Sequence, residues 1–196
     1  MKVAVMRKLF LFVFLVVVLS SCSLLKGIGF RSYENDYTKL LKKKTRDFVL
    51  YRDFSTIARL KVTHFDKTLF TYYIKAISYN PSDERFLPYL NEFNQYDIYY
   101  VAFYTPDLDI NNLADKDSFW NVYLSACGDV LRPVSISSID SNDWRSNWLT
   151  SVNMERWAKE YVIKFKRVSC NRKVLAFSSF LGTASVIFEG DVNKNK

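Results

Sequence analysis

The nine residues DIYYVAFYT, Asp97 to Thr105, constrain the fold of this chain more than any other stretch. From Ile98 to Phe103 neither face of a strand would be polar. Such a strand is central and covered on both sides. Other strands follow by alternation. In Thr56 to Phe65, Ala58, Leu60, Val62 and His64 face one way, and Arg59, Lys61 and Thr63 the other. Trp120, Val122, Leu124 and Ala126 alternate up to a turn at Cys127-Gly128-Asp129. Val134 and Ile136 then continue a return strand, with Pro133 marking an edge or bulge. Tyr161, Ile163 and Phe165 mark another strand. Val174 to Ser179 and Ala184, Val186 and Phe188 mark the last two, divided near Gly182.

Helical spacing interrupts this pattern three times. Tyr33, Tyr37, Leu40 and Leu41 share a face of a first helix. Leu69, Phe70, Tyr73, Ile74 and Ile77 define a second, which Asn80-Pro81 stops. Phe86, Leu90 and Phe93 define a third within Ser82 to Gln95, where Pro88 kinks it or begins a new helix. These elements predict an α+β fold. It is predominantly an antiparallel β-sandwich or open barrel, with an N-terminal helix and a helical insertion. Sixteen Phe, thirteen Tyr and four Trp against five Gly and four Pro support an ordered, strand-rich core. A single globular domain is expected over 33–190, with a flexible tail at 191–196.

The start of the chain predicts export. Lys2, Arg7 and Lys8 precede eleven apolar residues, Leu9 to Leu19, and no acid appears before Glu34. That order describes a secretory signal peptide, and the run falls short of the ~20 residues a spanning helix needs. The exit Leu19-Ser20-Ser21-Cys22 resembles the lipobox of bacterial lipoprotein precursors. The resemblance implies a signal peptide over 1–21, cleavage before Cys22, acylation of that cysteine and a short tether over 22–32. Membrane contact through a lipid anchor and a cell-envelope location follow from it. Ser23, where an aspartate would resemble an inner-membrane retention signal, favours the outer membrane in a cell with two. Loss of the leader removes three cations from a formal charge of +8, leaving +5. An exported, lipid-anchored protein would rarely meet nucleic acid, so no nucleic-acid partner is expected. The pieces Trp120 to Leu124 (W-x-V-Y-L) and Gly182 to Phe188 (G-x-A-x-V-x-F) make the domain resemble uncharacterised bacterial lipoproteins. That resemblance implies no activity.

Several groups of residues are candidates for function. Lys39, Lys42, Lys43 and Lys44 occupy the polar face of the first helix, close to the anchor, where anionic headgroups would attract them. Trp144, Arg145, Trp148, Arg156 and Trp157 combine the residue types that dominate binding surfaces; covering one end of the sandwich is the alternative. Asp107, Asp109, Asn111 and Asp115 share the spacing of calcium-loop ligands. Asn112 and Ser118 replace the glycine and glutamate that such a loop uses, so they are weak metal candidates. Cys127 and Cys170 could form a disulfide in an oxidising compartment, two separate thiols being the alternative. His64, the one histidine, points inward in its strand, where a carbonyl would satisfy it. No G-x-S-x-G, H-E-x-x-H or phosphate-binding glycine loop occurs, so neither an enzyme nor a cofactor is expected. The expected function is a non-enzymatic binding or structural module that meets another envelope protein or cell-wall glycan. A ligand- or calcium-binding module using loop 107–118 is the alternative.

Overall fold

The computed structural model describes residues 31–77, 80, 82–140 and 157–190. In chain order the elements are α1 (Arg31–Lys44), β1 (Thr45–Arg52), β2 (Ser55–Phe65), α2 (Lys67–Ala76), α3 (Leu87–Gln95) and β3 (Tyr96–Tyr104). There follow β4 (Asn121–Ala126), β5 (Asp129–Leu131), β6 (Ser135–Ile139), β7 (Lys159–Lys166), β8 (Arg172–Ser179) and β9 (Gly182–Glu189). Two antiparallel sheets result, one ordered β1-β2-β3-β7-β6 and the other β5-β4-β8-β9. Neither closes into a barrel, so the molecule is an α+β sandwich with helices on its larger sheet.

β3 is the middle strand of the five, and its two apolar faces serve two cores. Tyr99, Val101 and Phe103 enter the core between the sheets with Leu60, Val62, Leu124, Ile163 and Phe177. Ile98 and Tyr100 enter a second core with Phe65, Phe70, Ile74, Phe93 and Leu41 from the helices and β2. Each large side chain removed from water in this way stabilises the fold by roughly 1.5–3 kcal/mol. The layers are therefore helices, five-stranded sheet and four-stranded sheet.

The helices form where their spacing predicts. Asp66 caps α2 by accepting the Leu69 N–H at 2.9 Å. Pro88 stands in the first turn of α3, after a short 3₁₀ turn over Glu84–Phe86, so it begins a new helix rather than kinking one. α1 starts at Arg31, so the last two residues of the expected tether already belong to the domain. α1 and α2 are antiparallel: Lys44 at the end of α1 pairs with Asp66, and Tyr37 packs against Tyr73 at 5.6 Å.

Two corrections concern the strands. β1 is missing from the sequence reading, although it pairs with β2 along its whole length. Its turn uses Asp53 (φ 49°) and Phe54 (φ 65°), both left-handed, in a position where glycine or asparagine usually signals a hairpin. The expected return strand through Val134 and Ile136 is two strands in different sheets. β5 leaves Cys127-Gly128 and pairs with β4, whereas β6 pairs with β7. Pro133, lacking an N–H, sits where the chain changes sheets.

Candidate functional site

One end of the sandwich carries an ion pair between the two sheets. Lys173, at the start of β8, donates its ammonium to both Asp97 oxygens at 2.7 Å. Both residues are buried, Asp97 to 6% exposure and Lys173 to 8%. The Val168 N–H donates to the same carboxylate at 3.2 Å, and His64 Nε2 lies 3.7 Å from it. Burial acts to raise the Asp97 pKa. The His64 ring, the Lys173 ammonium and the Val168 N–H outweigh that effect and hold it below the ordinary carboxyl value. The His64 ring stacks on Tyr99 at 4.9 Å, with Phe188 beside both. Burial, then the Asp97 charge, push the Tyr99 phenol pKa up. Its hydroxyl has no hydrogen-bond partner among the described residues.

A cleft opens over this pair in two lobes. The larger, about 450 Å³, lies between the start of α2, the end of α3 and the β7–β8 connection. The smaller, about 310 Å³, lies between the end of α1 and the end of β9. His64, Asp66, Thr68, Cys170 and Lys173 line both, so the two lobes adjoin. Six cationic side chains, of Lys43, Lys44, Arg46, Lys67, Arg167 and Lys173, face three carboxylates, of Asp66, Asp97 and Glu189. The cleft can therefore attract and hold a negatively charged group.

Cys127 and Cys170 are bridged beside the cleft, their Cα atoms 5.8 Å apart. Cys127 (φ 55°) and Gly128 (φ 89°) are the left-handed centre of the β4–β5 turn, and Cys170 lies in the β7–β8 connection. The bridge and the Asp97–Lys173 pair thus join the same end of the molecule by separate routes.

The remaining candidates are dispersed. Lys39, Lys42 and Lys43 are exposed on α1, whereas Lys44 turns toward Asp66 and is half-buried. Trp157 stands exposed before β7, while Trp144, Arg145, Trp148 and Arg156 lie outside the described residues, as do Cys22, the leader and the tail. His64 neighbours a carboxylate at the cleft, where the sequence reading gave it a carbonyl in the core.

The acidic loop is bound down by its asparagine. Asn111 is fully buried; its amide donates to the Phe103 carbonyl at 2.9 Å, and its carbonyl accepts from Lys159 at 2.8 Å. The Tyr161 hydroxyl lies 3.0 Å from that carbonyl and 3.1 Å from the side-chain oxygen. Burial, opposed by a Leu113 backbone hydrogen bond and aided by the Asp115 charge, pushes the Tyr161 phenol up to about 12. Asp107 accepts from the Asp109 N–H at 3.0 Å. Among the described residues, no three His, Cys, Asp or Glu side chains gather as a metal would require. Asn111→Ala removes a side-chain donor from the Phe103 carbonyl and an acceptor from the buried Tyr161 hydroxyl. It is expected to cost about 1–3 kcal/mol in a urea unfolding experiment. Unchanged stability would show that the loop's anchorage lies elsewhere.

Comparison with protein-family models, curated proteins and solved structures finds no match to this chain. The ion pair and the cleft were missed in the sequence. The one available signal was Asp97, a carboxylate heading an otherwise apolar strand, which calls for a partner once that strand is central.

Proposed function

We propose that this chain is a lipid-anchored envelope lipoprotein whose domain is a non-enzymatic binding module, presenting the charged cleft to another envelope component. The observation that carries this reading is the run from Lys2 to Cys22: cations, a short apolar stretch, small residues and a cysteine in lipoprotein order. α1 begins nine positions after Cys22, so the anchor and the domain are closely coupled. Eight intervening residues reach at most about 30 Å. Tethering keeps the domain at high effective concentration toward partners at the same membrane, so modest affinity suffices. A partner protein or cell-wall glycan fits that setting, as does an outer-membrane location in a cell with two membranes.

The test is metabolic labelling with radioactive fatty acid. The wild-type chain is expected to take up label and sediment with membranes. Cys22→Ala is expected to lose the label and either leave the membrane or remain as unprocessed precursor. Equal labelling of the variant would overturn the proposal.

A further inference from the structure

The charge of the cleft is distributed in a way that specifies its ligand. Of the three lining carboxylates, Asp66 is held by Lys44 and Asp97 by Lys173. That leaves Glu189 as the remaining acid, in the smaller lobe with Arg46, while Arg167 lines the larger. Arg46 lines the smaller lobe, and its Nη1 donates to the carbonyls of Lys43 at 2.6 Å and Thr45 at 2.9 Å. Arg167 lines the larger lobe, and its Nη1 donates to the Phe93 carbonyl at 2.8 Å. A guanidinium carries five N–H donors in a rigid fork. Each arginine is thus fixed through one nitrogen and keeps donors in hand, with its ordering entropy already spent. Fixed guanidinium forks suit the paired oxygens of phosphate and carboxylate. Lys67, exposed at the start of α2, adds a further cation to the larger lobe.

We propose that the cleft binds a ligand bearing two oxyanionic groups, one against Arg46 in the smaller lobe and one against Arg167 in the larger. The two lobes share His64, Asp66, Thr68, Cys170 and Lys173 in their lining and therefore adjoin, and the proposed ligand reaches across these residues from one to the other. Their volumes lie in the range of small-molecule sites. The Asp97–Lys173 pair beneath them is internally neutral and does not repel the anion. This assignment rests on the reading of the cleft as a binding site and names the ligand class for it.

The test is calorimetric titration of the purified full-length protein with three probes: inorganic orthophosphate, inorganic tripolyphosphate and the dicarboxylate suberate. Tripolyphosphate or suberate is expected to bind at least tenfold more tightly than orthophosphate, because one phosphate fills one lobe only. The preferred probe identifies the oxyanion as phosphate or carboxylate. Added salt should weaken binding. Arg46→Ala and Arg167→Ala should each weaken it at least tenfold, and Lys39→Ala should leave it unchanged. Lys67→Ala, which removes an exposed amino group with no partner among the described residues, should weaken it severalfold without disturbing the fold. Absence of binding by both extended probes at millimolar concentration would overturn the proposal. So would affinity unchanged in Lys67→Ala and in whichever arginine variants remain folded. The titration reads the cleft and the fatty-acid labelling reads the leader, so either can fail alone.

Discussion

Replacing Lys173 by methionine is expected to lower the unfolding free energy by about 3–5 kcal/mol, because it strands the Asp97 carboxylate without its ion partner. The two residues are 76 positions apart and pin one sheet to the other, so the loss falls on the sandwich itself. Urea unfolding near neutral pH measures it. Adding Asp97→Asn to the variant should recover part of the loss, since the charge left behind is then removed. The pH dependence has a definite sign. Asp97 is held below its ordinary carboxyl value in the folded protein. Its contribution is therefore complete above the unfolded value of about 3.9 and fades as pH falls through the folded value. In Lys173→Met, burial is less opposed and the folded-state value of Asp97 rises, so the part of the acid destabilisation that Asp97 contributes should shrink or reverse. A variant with wild-type stability and an unshifted acid limb would refute this account.

Opening the Cys127–Cys170 bridge is expected to cost about 4 kcal/mol, the chain-entropy estimate for a loop of this length. The separation is 43 residues, and the loop contains β5, β6 and β7, which together enter both sheets. Freed of the constraint, the unfolded chain gains far more conformations than the folded one. Unfolding with and without reductant, compared with Cys170→Ser, measures the effect. Equal midpoints in all three states would show that the bridge does not constrain the unfolded chain. Two alkylatable thiols in freshly purified, non-reduced protein would show that it does not form.

Local patterning made most of the β-structure legible. β3 was plain because six consecutive apolar residues cannot leave one face to water, and β7 and β9 because Tyr161, Ile163 and Phe165 and then Ala184, Val186 and Phe188 fall on alternate positions. β1 was obscured at its exit. Its partner strand was recognised, but a turn built from left-handed Asp53 and Phe54 carries no glycine signal. Pro133 was visible as an interruption, yet nothing local says that the chain changes sheets there. The site was less legible still. Lys173 and Asp97 each look like an ordinary charge near a strand end, and their meeting depends on two sheets closing over one core. Arg46 and Arg167 approach the cleft from opposite parts of the chain for the same reason. The acidic loop posed the opposite difficulty: its ligand-like spacing was local, but burial of Asn111 against Phe103 and Tyr161 decided its role.

The antiparallel packing of α1 on α2 has a geometric consequence for an anchored chain. Lys44 meets Asp66 at the end of α1 that borders the cleft, and Arg31, where the chain arrives from Cys22, is at the other end. Fourteen helical residues at 1.5 Å each separate these points by about 20 Å. A domain standing on its Arg31 end would raise the mouth of the cleft by that distance, more than twice the roughly 8 Å over which charge is screened at physiological salt. On the proposed lipid anchor, α1 would act as a stand-off post. The arginines would be held beyond the field of the anchoring bilayer's own headgroups, open to anions arriving from the opposite side.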